Sequence, residues 1–289
     1  MGGARGARHV ARSVTRLGAV VVAAAVAVGA CSGGSGKSTA TTRTTSSVKT
    51  QPATTATTFD ATHPLVIVVT NDDGYSAPGI AAIATALAKE PATHVDVVAP
   101  SQNRSGTGDR TTPGRLVAHD VKTADGTPAI AVDGYPADTV NVALDQLHLK
   151  PALIVSGVNF GANVGPLTAI SGTVGAAKQA VRRGIPALAV SQGVAAKPDY
   201  PSGVTEAIGW FRSNRSKLSS LRGAVVNINV PTCPAGVVRG ILDVPAATTL
   251  QNRDINRADC TTMVDPKTIT DDVDAIMHGF ASLSSVPAG

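Results

Sequence analysis

From residue 65 onward, short apolar runs alternate with stretches that carry a helical pattern. Runs rich in β-branched residues predict strands that are buried on both faces, and they lie at 65–70, 94–99, 152–156, 187–191 and 224–230. Helices are predicted at 78–89, 136–147, 173–183, 204–218 and 271–280. This alternation predicts an α/β fold with a mostly parallel sheet and helices on both faces. The less regular segments 114–134 and 236–268 are expected to form a β-hairpin and a C-terminal extension.

The first 31 residues have the pattern of an export signal. Arginines precede an apolar run at residues 17–30, which is too short to span a bilayer comfortably as a mature helix. The run ends in Val-Gly-Ala-Cys, which resembles a bacterial lipobox with Cys31 as the lipidated residue. The alternative is a plain cleaved signal with an incidental cysteine. We therefore expect an exported protein, anchored by lipid to the outer face of the bacterial cell membrane.

A segment rich in Ser, Thr, Gly and Ala follows the signal. Residues 32–62 contain almost no large apolar side chain, so they cannot bury enough surface to offset the entropy cost of ordering. The sequence thus predicts three parts: a signal with lipobox (1–31), a disordered tether (32–62) and a folded domain (63–289). The chain carries 25 Lys and Arg against 20 Asp and Glu, and four of the arginines precede residue 17. Because no dense basic face remains, we exclude a nucleic-acid polymer as partner.

The three cysteines are expected to have two different roles: one carries lipid and the other two can form a disulfide. If Cys31 carries lipid, Cys233 and Cys260 are left as an even pair in an oxidising compartment. A disulfide between them would stabilise the fold by about 2–4 kcal/mol. Two unpaired buried thiols are the alternative.

Polar clusters follow three of the predicted strands. The carboxyl ends of parallel strands meet at one edge of a sheet, where ligands bind, so Asp72, Asp73, Ser105 and Asn159 are expected to lie together. Two adjacent carboxylates at the end of an apolar strand repel each other and lose solvation unless a cation compensates them. Carboxylate, hydroxyl and amide oxygens suit one hard divalent cation, Mg²⁺ or Mn²⁺ foremost. The plainer alternative is that Asn-Asp-Asp-Gly forms only an Asx turn.

Besides the cation site, the sequence predicts an anion-binding feature before the helix at 173–183. Ser171, Gly172 and Thr173 lie where unpaired backbone N–H groups and the positive end of the helix dipole would hold a phosphate. Read alone, Ser171 is more simply an N-cap that needs no ligand. Next to a metal site, the phosphate interpretation is favoured.

Four stretches, in this order and spacing, resemble the SurE family: TNDDGYSAP (70–78), VAPSQNRSG (98–106), SGVNFGANVG (156–165) and SGTVGAA (171–177). The resemblance implies a Rossmann-like core and a homodimer or homotetramer. It also implies a divalent-metal phosphomonoesterase, a 5′/3′-nucleotidase that hydrolyses nucleoside monophosphates. By match to the motifs, the metal ligands are Asp72, Asp73, Ser105 and Asn159, and the phosphate pocket is lined by Asn163, Ser171, Gly172 and Thr173. Ser101 and Ala162 depart from the family pattern, which has Asp and Pro there.

The expected reaction is attack on phosphorus by a metal-activated water, with Asp72 or Asp73 handling the proton. The sequence leaves two other functions open: a non-catalytic lipoprotein that binds a phosphorylated ligand, and a broad-specificity phosphatase or exopolyphosphatase. It disfavours a lipase or esterase triad, because it contains no Gly-x-Ser-x-Gly. A histidine acid phosphatase is disfavoured because no histidine lies in the three loops.

Overall fold

The computed structural model describes residues 63–289, which build one sheet with helices on both faces. The strands within these residues are β1 (Leu65–Thr70), β2 (Thr93–Pro100), β3 (Ala118–Lys122), β4 (Pro128–Val132), β5 (Leu153–Phe160), β6 (Ala187–Gln192), β7 (Ala224–Val230), β8 (Ile241–Asp243) and β9 (Ala281–Pro287). The α-helices are α1 (Pro78–Ala88), α2 (Pro136–Asn141), α3 (Gly172–Arg182), α4 (Tyr200–Asn214) and α5 (Asp272–Met277). The predicted α/β, Rossmann-like fold class is confirmed.

The strand order places a crevice at the middle of the sheet. The nine strands run β3-β4-β2-β1-β5-β6-β7-β9-β8. Pairing is parallel from β4 through β7, whereas β3–β4 and β7–β9 pair antiparallel. After β1 the chain first builds outward through β2 and β4, and then returns to the other side of β1 with β5. This reversal of direction between β1 and β5 is the point at which open α/β sheets bind ligands.

Two hydrophobic layers fix the helices on the sheet. One face of the sheet packs α1 and α4, with Phe211 fully buried and Trp210 in the same layer. The opposite face packs α2 and α3 through Val140, Val174 and small alanines. These alanines let helix and strand backbones approach closely, which suits a chain in which aromatic residues make up only 3%.

A glycine sets the distance between α1 and β5. A Cβ added to Gly79 would lie 2.0 Å from the carbonyl oxygen of Val158. No side chain fits there, so only glycine lets the start of α1 rest on β5 beside Asn159. The close packing of α1 against β5 at the crevice therefore requires glycine at position 79.

The C-terminal extension is tied to the sheet by two strands and a disulfide. β9 pairs with β7 and carries the short strand β8 on its outer side. Cys233 and Cys260 are joined, with their Cα atoms 5.7 Å apart, which is the pair favoured from the sequence. Ile276 and Val273 of α5 pack against Val164, so the extension covers the segment that follows β5.

The elements differ from the sequence-based expectations in several places. The strand expected at 152–156 continues to Phe160 with a shift of register toward β6, so Asn159 lies inside a strand and not in a loop after it. The helix expected at 271–280 spans only Asp272–Met277, because Gly279 with φ +75° ends it. The strand β9 that follows was not predicted. The predicted hairpin within 114–134 is present as β3 and β4.

Some predictions concern the chain before residue 63. The signal at 1–31, the lipidated Cys31 and the tether at 32–62 lie outside the described residues, so the three-part division stays a prediction. Among residues 63–289, the helices are too short or too polar for any of them to cross a bilayer.

Candidate metal and phosphate site

The predicted site lies at the crevice between β1 and β5. Asp72 and Asp73 follow β1 directly, and Asn159 lies near the end of β5. The loop after β2 crosses over them, because the backbone N–H of Arg104 donates to the carbonyl oxygen of Asp72 at 2.7 Å. Segments far apart in sequence therefore meet at one edge, as the pattern of strands predicted.

Asp72 is buried against the first turn of α3. The residue is 3% exposed, and the hydroxyl of Thr173 donates to its Oδ1 at 2.6 Å. A Cβ on Gly172 would lie 2.7 Å from the Cβ of Asp72, so glycine is required for this approach. Burial raises the pKa of Asp72, while the Thr173 hydroxyl and nearby backbone N–H groups lower it in part.

Asp73 is less buried and less well supported by hydrogen bonds. Its Oδ2 accepts from the backbone N–H of Phe160 at 3.3 Å, and its Oδ1 accepts from the amide of Asn103 at 3.4 Å. Burial, followed by the charge of Asp72, raises the pKa of Asp73 to about 6. The two neighbouring carboxylates thus resist being ionised together.

The donor set fits a hard divalent cation. In the part of the chain from 63 to 289, neither Asp72 nor Asp73 forms an ion pair with Lys, Arg or His. The same residues contain no cluster of three or more His, Cys, Asp or Glu side chains that would hold a metal. Any cation site here must therefore combine the two carboxylates with neutral oxygens, which is the chemistry that Mg²⁺ and Mn²⁺ prefer.

Asn159 and Ser105 are the neutral donors next to the carboxylates. The side-chain nitrogen of Asn159 donates to the carbonyl of Gly161 at 2.6 Å. Its Oδ1 has no hydrogen-bond donor within residues 63–289, so this oxygen is free for a ligand. Ser105 is exposed, and its backbone N–H donates to the side-chain oxygen of Asn103 at 2.9 Å. Each residue directly follows or precedes one that bonds to the Asp pair.

Glycines bring the loop after β2 onto the start of α3. A Cβ on Gly175 would lie 2.1 Å from the carbonyl oxygen of Gly108. The N–H of Gly108 in turn donates to the carbonyl of Ile170 at 2.9 Å. These contacts lock the Ser105 loop to the helix that carries Thr173.

Two of the predicted phosphate-pocket side chains have structural partners. The hydroxyl of Ser171 accepts from the N–H of Val174 at 3.1 Å and so caps α3, which is the simpler role considered from the sequence. The side chain of Asn163 donates to the hydroxyl of Ser191 at 2.8 Å, and its backbone N–H donates to Asn229. Asn163 thus anchors its segment to β6 and β7, and its part in phosphate binding stays a prediction.

A buried carboxylate in α5 was missed by the sequence analysis. Asp272 is fully buried, and its two oxygens accept from the backbone N–H groups of Gly165 and Ala247 at 3.0 and 2.8 Å. Burial raises the pKa of Asp272. It holds the segment between Asn159 and Ser171 in place. The only signal was a second Asp at a helix start, where Asp271 already serves as the N-cap.

The chain matches a known protein family. The profile of the family described as "Survival protein SurE" matches residues 67–256. The chain belongs to the SurE family. The SurE match contains all eight predicted metal and phosphate residues but ends before Asp272.

Individual SurE relatives cover most of the same region. The chain is 38% identical to the "5′-nucleotidase SurE" of Geobacter metallireducens over 207 residues, which are 70% of this chain and 76% of the relative. It is 42% identical to the "5′-nucleotidase SurE" of Pelobacter propionicus over 60% of this chain and 68% of the relative. The crystal structure of the SurE protein from Aquifex aeolicus has the same fold, with a TM-score of 0.63 at 24% identity over 78% of this chain and 94% of that chain.

The hydroxyl of Thr173 is expected to stabilise the metal-free protein through Asp72. Thr173→Val keeps the shape of the side chain but removes the donor to a buried carboxylate. We therefore expect the free energy of unfolding to fall by about 1–3 kcal/mol, as measured by urea denaturation in EDTA. Thr173→Ser keeps the hydroxyl and is the control, with a loss of about 1 kcal/mol for the missing methyl group. A Thr173→Val protein as stable as the wild type would contradict this role.

Proposed function

We propose that this SurE protein is a metal-dependent phosphomonoesterase that hydrolyses nucleoside monophosphates to a nucleoside and inorganic phosphate. The observation that carries the proposal is the pair Asp72 and Asp73, which follows β1, packs beside the start of α3 and has no cationic partner among residues 63–289. An arrangement that costs stability is expected where function requires it. The names of the relatives, 5′-nucleotidases, point to the same class of substrate.

The cofactor is proposed to be one divalent cation, Mg²⁺ or Mn²⁺. Its ligands would be Asp72, Asp73, the hydroxyl of Ser105 and the free Oδ1 of Asn159. When bound, such a cation supplies Lewis acidity to a phosphoryl oxygen and lowers the pKa of a water molecule. It would also offset the burial and the charge of Asp72 that together raise the pKa of Asp73.

The chain itself would hold the phosphoryl group and move the proton. The positive end of the α3 dipole would attract the phosphoryl oxygens. The backbone N–H groups of Gly172 and Thr173 hydrogen-bond to Asp72, so these two residues would line the phosphate pocket beside that carboxylate. Asp73 is the better placed of the two carboxylates to take the proton of the attacking water, because Thr173 occupies Oδ1 of Asp72. That proton would then pass to the oxygen of the leaving nucleoside, so that the reaction consumes one water and releases phosphate.

The proposed activity is tested by release of phosphate from AMP, GMP and p-nitrophenyl phosphate. We expect release with Mn²⁺ or Mg²⁺ and none in EDTA. Asp73→Asn should lower kcat by about 100-fold or more, because it removes a ligand and the proton acceptor. Asp120→Asn, on the exposed strand β3, is the matched control and should keep full activity.

Several outcomes of this assay would count against the proposal. Hydrolysis that persists in EDTA, or in Asp73→Asn, would overturn the metal-dependent mechanism. Binding of AMP without release of phosphate in any metal would favour the non-catalytic lipoprotein. Equal turnover of all monoesters, or release from polyphosphate, would favour the broad-specificity phosphatase or exopolyphosphatase.

We also propose that the protein acts outside the cell membrane, held there by lipid on Cys31. The support is the sequence pattern of residues 1–31. Cys31→Ala should abolish incorporation of labelled palmitate and move the protein from the detergent phase to the aqueous phase. Unchanged labelling would show that another residue carries the lipid, and a wild-type protein that takes up no label would show that none does. The homodimer or homotetramer implied by the family stays a prediction.

A further inference from the structure

Two arginines lie over one aromatic ring beside the candidate site. The guanidinium carbon of Arg110 is 4.9 Å from the centre of the Tyr135 ring, and that of Arg104 is 5.8 Å from it. Arg104 directly precedes Ser105, and its backbone N–H is bonded to Asp72. The backbone of Arg104 is therefore in direct contact with the segment that carries the two carboxylates.

The ring itself stands close to the start of α3. Tyr135 precedes Pro136, whose Cγ would lie 3.0 Å from a Cβ on Gly172. Gly172 is the residue that touches Asp72. Tyr135 thus comes from the segment after β4, on the side of the crevice opposite the Asn159 segment.

The two guanidinium groups lack a negative partner. Among the described residues, neither Arg104 nor Arg110 forms an ion pair, and the buried Nε of Arg104 has no hydrogen-bond partner. Like charges that share one ring repel each other. A buried donor without an acceptor adds a further cost. Such an arrangement is stabilised when an anion lies between the two groups.

Two carboxylates of the neighbouring segments have other hydrogen-bond partners. Asp138 accepts from the backbone N–H groups of Thr112 and Tyr135, both at 2.8 Å. Asp133 is exposed and bonds to His119 at 3.3 Å. The pKa of Asp133 is lowered first by the Ser101 hydroxyl and by His119, and only lastly by the charge of Arg104. An external anion can therefore approach both arginines.

We propose that Arg104 and Arg110, stacked on Tyr135, form a subsite for a second phosphate group of the substrate. The preferred substrates are then nucleoside bisphosphates, with one phosphate at α3 and the other at the arginines. Guanidinium groups bind phosphate through paired N–H donors, and stacking on an aromatic ring leaves those donors free. Because both guanidinium groups already cover the ring, a phosphate fits this subsite better than a nucleobase does. The proposal rests on the proposed function.

The test compares adenosine 3′,5′-bisphosphate with AMP. With Mn²⁺, we expect kcat/KM for the bisphosphate to exceed that for AMP by about tenfold or more, as charged hydrogen bonds of this kind provide. Arg110→Gln, at an exposed position that is safe for folding, should reduce this ratio toward one. Arg104→Gln should do the same. Arg115→Gln, an exposed arginine in the same segment, is the matched control and should leave the ratio as in the wild type.

A binding measurement separates this proposal from the proposed function. Calorimetric titration of adenosine 3′,5′-bisphosphate in EDTA should show affinity that falls about tenfold in Arg110→Gln and not in Arg115→Gln. Binding of this kind without turnover of any phosphate ester would support the subsite and overturn the proposed function. Turnover of AMP with a substrate ratio that Arg110→Gln leaves unchanged, or that Arg115→Gln lowers equally, would overturn the subsite.

Discussion

The burial of two adjacent carboxylates is the constraint on which the site depends. Asp72 and Asp73 are held together at the end of β1 by the first turn of α3 and by the N–H of Phe160. Burial raises the pKa of Asp72, and burial followed by the charge of Asp72 raises the pKa of Asp73. Burying these carboxylates lowers the free energy of unfolding, so other contacts must stabilise the fold around them. A bound cation would offset this loss of stability. The other contacts of the site hold these two carboxylates in position.

Several of these positioning contacts are close backbone approaches that only glycine permits. Gly172 lets α3 reach Asp72, Gly175 lets the loop after β2 reach α3, and Gly79 lets α1 reach β5. Asp272 adds a buried carboxylate that holds the segment between β5 and α3. The charges around the crevice are complementary in one further respect. Among residues 63–289, Asp72 and Asp73 have no cationic partner, and Arg104 and Arg110 form no ion pair. A metal with a doubly phosphorylated substrate would satisfy both pairs.

The sequence predicted the features that local pattern determines. Apolar runs located the buried strands. Because parallel strands end at one edge of a sheet, the sequence also predicted that the segments carrying Asp72, Ser105 and Asn159 lie close together. What it missed depends on distant contacts. Asp272 bonds to Gly165 across 107 residues, and the extension of β5 to Phe160 depends on its pairing with β6. The hydroxyl of Ser171 caps a helix, as its local sequence alone indicated. Neither the anchoring of Asn163 nor the strand β9 leaves a periodic signal of its own.

The central claim is that Asp72, Asp73, Ser105 and Asn159 bind one divalent cation. The most direct test is anomalous X-ray diffraction from crystals of the protein soaked in Mn²⁺. We expect one strong anomalous peak at about 2.0–2.3 Å from a side-chain oxygen of each of these residues. A map with no peak at the crevice, or with the metal bound at a distant surface cluster, would contradict it.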